Sequence, residues 1–168
     1  MRLHPGERLI DFGCGAEPVL LRKASPIIHW GIGFDYDANN LREQNFFVRQ
    51  ARISDTFPLP NHSATAVSMT AVIEHFSKDA ALNLLKACKK VLLPGGRVIL
   101  TTPTPLGKYP LETVARLTPL VAKGEVFDHQ HYYSKYDLAY SAAHAGLHLI
   151  HYDTFEFGGN SVAVLINQ

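Results

Sequence analysis

The apolar run Arg8-Leu9-Ile10-Asp11-Phe12 breaks on Gly13-Cys14-Gly15, and the next such run ends on an acid, Asp35. Short apolar runs of this kind alternate with helical patterns along the chain, which predicts βαβ units and a mainly parallel sheet. Strands are expected over 8–12, 29–35, 46–51, 64–70 and 97–102, with helices over 18–24 and 38–44 between the first of them. The segment 77–92 is the clearest helix: Ser77 can cap its free N–H groups, and Ala81, Leu84, Leu85, Cys88, Val91 and Leu92 share one face. Pro94-Gly95-Gly96 should stop it and turn the chain into the fifth strand. Further helices are expected over 111–122, where Pro119 should kink or end it, and over 134–145, ended by Gly146. Two last strands, 147–155 and 161–166, are joined through Gly158-Gly159-Asn160, a tight turn that makes the pair antiparallel.

The 168 residues, 46% of them hydrophobic, are enough to bury one core, so a single domain over 1–168 is expected. Only 18% of residues are charged and the net charge is +1, which argues against a broad electrostatic grip on nucleic acid. Cys14 and Cys88 lack metal-ligand spacing, so neither a zinc site nor a disulfide framework is expected. There is no apolar leader at the N-terminus and no stretch long enough to span a bilayer. A reduced, soluble, cytoplasmic protein is the expectation.

The chemistry concentrates at the strand ends. Glycines after the first strand let backbone approach a ligand closely, and the following helix N-terminus offers N–H groups. Asp35 lies 20 residues past Gly15, the usual separation for a carboxylate that accepts hydrogen bonds from a nucleotide ribose. The dinucleotide fingerprint fails, because its third glycine falls on Pro18, and this disfavours an NAD-dependent oxidoreductase.

Leu9-Ile10-Asp11-Phe12-Gly13-Cys14-Gly15 resembles the first motif of class I S-adenosylmethionine-dependent methyltransferases, usually written LDLGCG. Gly31-Ile32-Gly33-Phe34-Asp35 is similar to their second-strand motif. Phe57-Pro58-Leu59-Pro60, Val72-Ile73-Glu74-His75-Phe76 and Val91-Leu92-Leu93-Pro94-Gly95-Gly96 resemble the LPFP, VLEHL and RVLKPGG segments of the methyltransferase type 11 group. His129 to Leu138 resembles its H-x-x-x-F-S-x-x-x-L segment, and Ala145-Gly146-Leu147 its AGF. The matches follow family order over nearly the whole chain. They imply a Rossmann-like three-layer αβα sandwich with a seven-stranded, mostly parallel sheet. Its antiparallel last strand should insert between the fifth and sixth.

The resemblance also implies site roles. Gly13, Cys14 and Gly15 would hold the methionine part of S-adenosylmethionine, and Asp11 would orient that loop or the cofactor's ammonium group. Asp35 would take the ribose hydroxyls, Tyr36 would pack on adenine, and the N–H of Ile53 would meet the adenine ring. Met69, Thr70 and Ala71 would lie near the sulfonium. Three positions depart from the family pattern. Glu17 stands where a further glycine is common. Arg52 and Ile53 stand where a carboxylate reads adenine, with Asp55 as a substitute. Thr65 replaces an aspartate that often opens the fourth strand.

Glu74, His75, His129 and His131 are the candidate catalytic residues, one of the histidines serving as a general base; the alternative is that the histidines brace their loop. In small-RNA 2′-O-methyltransferases, two glutamates and two histidines at similar positions hold a divalent ion. The first glutamate position is Ala71 here, and no metal is assigned. The apolar residues Leu111, Val114, Leu117, Leu120 and Val121 either form an ordinary core-covering helix or line a lid that suits a small or lipid-linked acceptor better than a polyanion. A small-molecule or lipid- or glycan-linked acceptor is the expectation, and peripheral membrane contact stays open. Two other readings also stay open: a non-catalytic cofactor- or partner-binding domain, and an RNA-directed methyltransferase. The sequence fixes neither the acceptor nor the oligomeric state.

Overall fold

The computed structural model describes residues 3–53, 59–107 and 131–168. The chain runs β1 (Arg8–Phe12), α1 (Val19–Ala24), β2 (Trp30–Asp35), β3 (Leu41–Arg42), β4 (Phe46–Gln50) and β5 (Ala64–Thr70). A 3₁₀ turn (Ile73–His75) and α2 (Lys78–Val91) lead to β6 (Leu92–Pro103), and α3 (Lys135–Ala145), β7 (His148–Phe155) and β8 (Asn160–Ile166) complete the order. The described strands form one sheet in the order β3-β4-β2-β1-β5-β6-β8-β7. β4, β2, β1, β5 and β6 are mutually parallel, and β8 inserts antiparallel between β6 and β7, as the sequence implies.

Strand alternation divides the core into two layers. Leu9 of β1 packs with Leu21 and Ala24 of α1 and with Phe46, Val48 and Ala66 on one face. Ile10 and Phe12 pack on the other face with Leu84, Leu85 and Cys88 of α2 and with Leu138 and Ala142 of α3. Burying each such Leu, Ile or Phe side chain contributes roughly 1.5–3 kcal/mol, so both helical layers are held mainly by apolar area. A Cβ on Gly33 would lie 2.7 Å from Cys14 Sγ and 2.9 Å from Leu21 Cδ1. Only glycine there lets α1 and the loop before it close on β2. The Ser77 side chain accepts from the Ala80 N–H to cap α2, and Ser134 with Asp137 forms a capping box at the start of α3.

The helix expected over 38–44 does not form. Leu41 and Arg42 instead pair antiparallel with Val48 and Phe47, across a turn in which the Glu43 N–H donates to Phe46 O at 3.0 Å. Polar side chains fix the extended path before it: Asp35 Oδ1 accepts from the Asp37 N–H at 2.8 Å, and Asn40 Oδ1 from the Gln50 N–H at 3.0 Å. The described sheet therefore has eight strands, not seven.

Pro94-Gly95-Gly96 also departs from expectation, because the strand begins before it, at Leu92, and the register shifts there. Asn167 holds this irregular stretch. Its Nδ2 donates to the carbonyls of Leu92 and Leu93, and its own carbonyl accepts from the Gly95 N–H. The helix expected over 111–122 lies outside the described residues. Among the described residues, no helix is long and apolar enough to cross a membrane.

Candidate active site

Parallel strands that run outward in both directions from β1 and β5 leave a crevice at their carboxyl ends, where the connections diverge. The ends of β1, β2 and β5 meet there, and they carry Gly13, Asp35 and Thr70. The loop after β1 is tied down by its own donors: the N–H groups of Gly13 and Cys14 go to Phe34 O at 2.8 and 3.4 Å. The Gly15 N–H goes to Asp35 Oδ2 at 2.9 Å. These three donors are therefore engaged within the protein. What the loop offers a ligand is its carbonyls and close approach to the backbone.

Gly13 is irreplaceable on two counts. It sits at φ +72, where an L side chain is strained, and a Cβ would lie 2.4 Å from Val72 Cγ2. Ala71, just past β5, is also left-handed at φ 53, and its N–H donates to Thr101 O at 3.2 Å. A non-glycine residue held there costs on the order of 1–3 kcal/mol, and such strain gathers at functional sites.

Asp11 is buried, and its Oδ1 accepts from Ser68 Oγ at 2.6 Å. Burial pushes its pKa up to about 6, against the lowering effect of Ser68 and with a smaller push from Asp35. A carboxyl that titrates near neutrality at the root of the glycine loop is poised to respond to a nearby cation. The Cys14 thiol is driven up to about 12, first by burial and then by Asp11 and Asp35, so it is a packed thiol and no nucleophile.

The other proposed cofactor contacts are spread along the same edge. Tyr36 is 64% exposed beyond Asp35, and its carbonyl accepts from Gln50 Nε2 at 3.0 Å. Ile53 packs partly buried against the core. The Met69 side chain is fully buried, which leaves only its backbone at the edge, whereas Thr70 is exposed. Glu17 is exposed and pairs with Arg22, which also holds Glu43 at 2.9 Å. The departure from glycine thus serves to anchor the loop to α1. Thr65 is likewise accounted for, since its hydroxyl accepts from the Arg8 N–H at 2.9 Å and joins the starts of β5 and β1. Asp55 lies outside the described residues.

Glu74 and His131, far apart in sequence, are brought together: the His131 N–H donates to Glu74 O at 3.2 Å. Glu74 is fully buried, and neither carboxyl oxygen has a hydrogen-bond partner among the described residues. Burial raises its pKa, and the smaller lowering effects of its own backbone, His75 and Thr102 do not offset this. The Thr102 hydroxyl is near enough to act electrostatically, yet it too lacks a bond of normal geometry. His131 Nε2 stands 3.9 Å from Asp137 Oδ1, at the outer limit of an ion pair. Burial and Lys78 lower its pKa, so the ring is neutral and the distance records proximity alone. His75 is partly buried on the 3₁₀ turn beside Glu74, and His129 lies outside the described residues.

Sequence reasoning missed Ser68, Thr102 and Tyr133. Ser68 was legible in principle as the strand hydroxyl that the register sets opposite Asp11. Among the described residues, no group of His, Cys, Asp or Glu is arranged to hold a metal ion.

A family profile described as "Methyltransferase domain" matches residues 2–152. Over 99 residues the chain is 28% identical to the ribosomal protein L11 methyltransferase of Ralstonia pickettii, covering 59% of this chain and 33% of that protein. It thus spans a third of the length of the curated relatives it matches. The structure is similar to an S-adenosylmethionine-dependent methyltransferase from Mesorhizobium loti, with a TM-score of 0.76 and 14% identity over 99% of this chain and 93% of that one. It is also similar to a chain of the complex between the Haloferax volcanii Trm112 methyltransferase activator and a methyltransferase. There the TM-score is 0.76 and the identity 15%, over 99% of this chain and 85% of that one. At such identities the structural matches speak for the fold.

Proposed function

Because the chain belongs to the methyltransferase domain family, whose methyl donor is S-adenosylmethionine, we propose that it methylates a small-molecule or lipid- or glycan-linked acceptor. The observation that carries the reading is the pairing of Asp35 with the glycine loop: one carboxylate oxygen fixes the Gly15 N–H in the loop that Gly13 turns at φ +72. These residues suit the donor chemically. Asp35 has lone pairs for ribose hydroxyls, Asp11 a carboxyl for an ammonium group, and Tyr36 an exposed ring for adenine.

S-adenosylmethionine supplies an electrophilic methyl group on a positively charged sulfur. The protein's share is to align the acceptor, exclude water and remove a proton. His131 is the candidate for the last task, its ring partly exposed and its pKa lowered by burial and by Lys78. Glu74 has no exposed surface, so its contribution is indirect.

An apolar acceptor is supported by the hairpin between β7 and β8, which presents Phe155 and the fully exposed Phe157 at the carboxyl edge of β6, beside the exposed Leu106. A protein acceptor is the second reading, favoured by the sequence similarity to an L11 methyltransferase. The test is a screen for S-adenosylhomocysteine release against apolar small molecules, RNA and ribosomal protein. Release with an apolar acceptor is expected. Release with RNA or protein alone would overturn the acceptor class while leaving the donor in place.

A further inference from the structure

Buried polar atoms of four side chains, without hydrogen-bond partners among the described residues, stand together where β5 and β6 end: the Glu74 carboxyl, the Thr102 hydroxyl, His131 Nε2 and the Tyr133 hydroxyl. Glu74 and Tyr133 are 0% and 1% exposed, and His131 packs edge-on against the Tyr133 ring with centroids 4.6 Å apart. The backbone bond from His131 to Glu74 O closes the group, and the capping box of α3 fixes the chain at Ser134, three residues on. A native core rarely leaves several polar groups unsatisfied at one place, and such a cluster marks a functional constraint.

We propose that Glu74 is a positioning residue: sealed between the end of β5, Thr102 of β6 and Tyr133, it seats the segment carrying His131 against the acceptor edge as an uncharged acid. The protonation state follows from geometry. A carboxylate with no hydrogen bond of normal geometry on either oxygen and no solvent is far costlier than the neutral acid, and Thr102 and the Glu74 backbone offset this cost only in part. The groups around it bear this out. His75, on the same turn, favours the carboxylate through its charge, an effect smaller than that of burial. Thr102, from β6, is uncharged. Tyr133 stays a neutral phenol, its pKa pushed up to about 12 first of all by burial. Lys78 of α2 and Asp137 of α3 act on His131, Asp137 raising its pKa and Lys78 lowering it.

Docking of the segment is therefore linked to a proton. The docked state keeps the proton on Glu74, and an undocked, hydrated Glu74 loses it at an ordinary carboxyl pKa. Rising pH must then favour undocking. This placement of His131 rests on reading the carboxyl edge as the methyl-acceptor side, but the docking itself is measured without any acceptor.

The experiment is amide hydrogen exchange on the full chain from about pH 6 to about pH 9, with Glu74→Gln and Glu74→Ala alongside the wild type. Protection is normalised to the amides of β5 and β6. In the wild type, protection of residues 131–133 should fall with rising pH. In Glu74→Gln, a neutral isostere, it should hold at every pH. In Glu74→Ala it should drop about tenfold or more throughout. Protection in the wild type that does not change with pH overturns the proposal, as does a Gln variant that loses as much as the Ala variant. If Glu74→Ala does not fold, the comparison of wild type with Glu74→Gln decides alone. Titration of the same wild-type protein with S-adenosylhomocysteine separates the two claims: absent binding sinks the donor reading, whereas only protection that does not change with pH, or a Gln variant that behaves as the Ala variant, sinks the role of Glu74.

Discussion

Replacing Asp11 with Asn should make the protein more stable at neutral pH and worse at holding its cofactor. Burial raises the Asp11 pKa from 3.8 to about 6, so the folded state keeps a proton that the unfolded chain has already released. Below pH 3.8 both states are protonated and the group contributes nothing. As pH rises toward about 6, wild-type stability falls, because ionisation is easier in the unfolded chain. Above that the full cost persists, about 3 kcal/mol at about 1.4 kcal/mol per pKa unit. Asn carries no such cost and can still accept from Ser68 Oγ. Denaturant unfolding of both proteins at a series of pH values should give equal stabilities near pH 4 and an advantage for Asp11→Asn of up to about 3 kcal/mol near pH 8. S-adenosylmethionine affinity should move the opposite way, since the variant cannot offer a carboxylate to an ammonium group. An advantage that does not vary with pH, or a variant less stable near pH 8, would refute the reasoning about burial.

Gly13→Ala combines a left-handed backbone with a Cβ 2.4 Å from Val72 Cγ2, and should cost about 2–4 kcal/mol by thermal or denaturant unfolding. Adding Val72→Ala should recover only the packing part of that loss. His131→Ala should leave S-adenosylhomocysteine affinity unchanged by calorimetry and, with an acceptor found by the screen, lower single-turnover rates about 10²–10⁴-fold. A stability loss with an unchanged rate would make His131 a brace for its loop.

Much of the fold was legible because its strands are short apolar runs punctuated by glycine, proline and acid. β1 and β5 have the bounds expected from sequence, and the tight turn Gly158-Gly159-Asn160 foretold the antiparallel pairing of β7 and β8. The segment 38–44 was not legible. Seven residues give too little periodicity to separate a helix from a hairpin, and Ala38 and Leu41 suit either. The hairpin wins through bonds that reach Asp37 and Gln50, and through Arg42 lying 5.0 Å over the Phe47 ring. At the site, Asp11, Gly13 and Asp35 could be found by spacing, since each ends or follows a strand. The inward turn of Glu74 could not. A charged residue reads as exposed until the 3₁₀ turn is seen to point it at Thr102 and Tyr133.

Calorimetric titration with S-adenosylmethionine, wild type against Asp35→Ala, tests the central claim most directly. The account predicts saturable binding to the wild type. It predicts a loss of about 1–3 kcal/mol in the variant, roughly tenfold to a hundredfold in Kd, as a charged acceptor is removed from the crevice. NAD should give no saturable heat with either protein. Equal affinity in wild type and variant, or no binding of S-adenosylmethionine to the wild type, would contradict it.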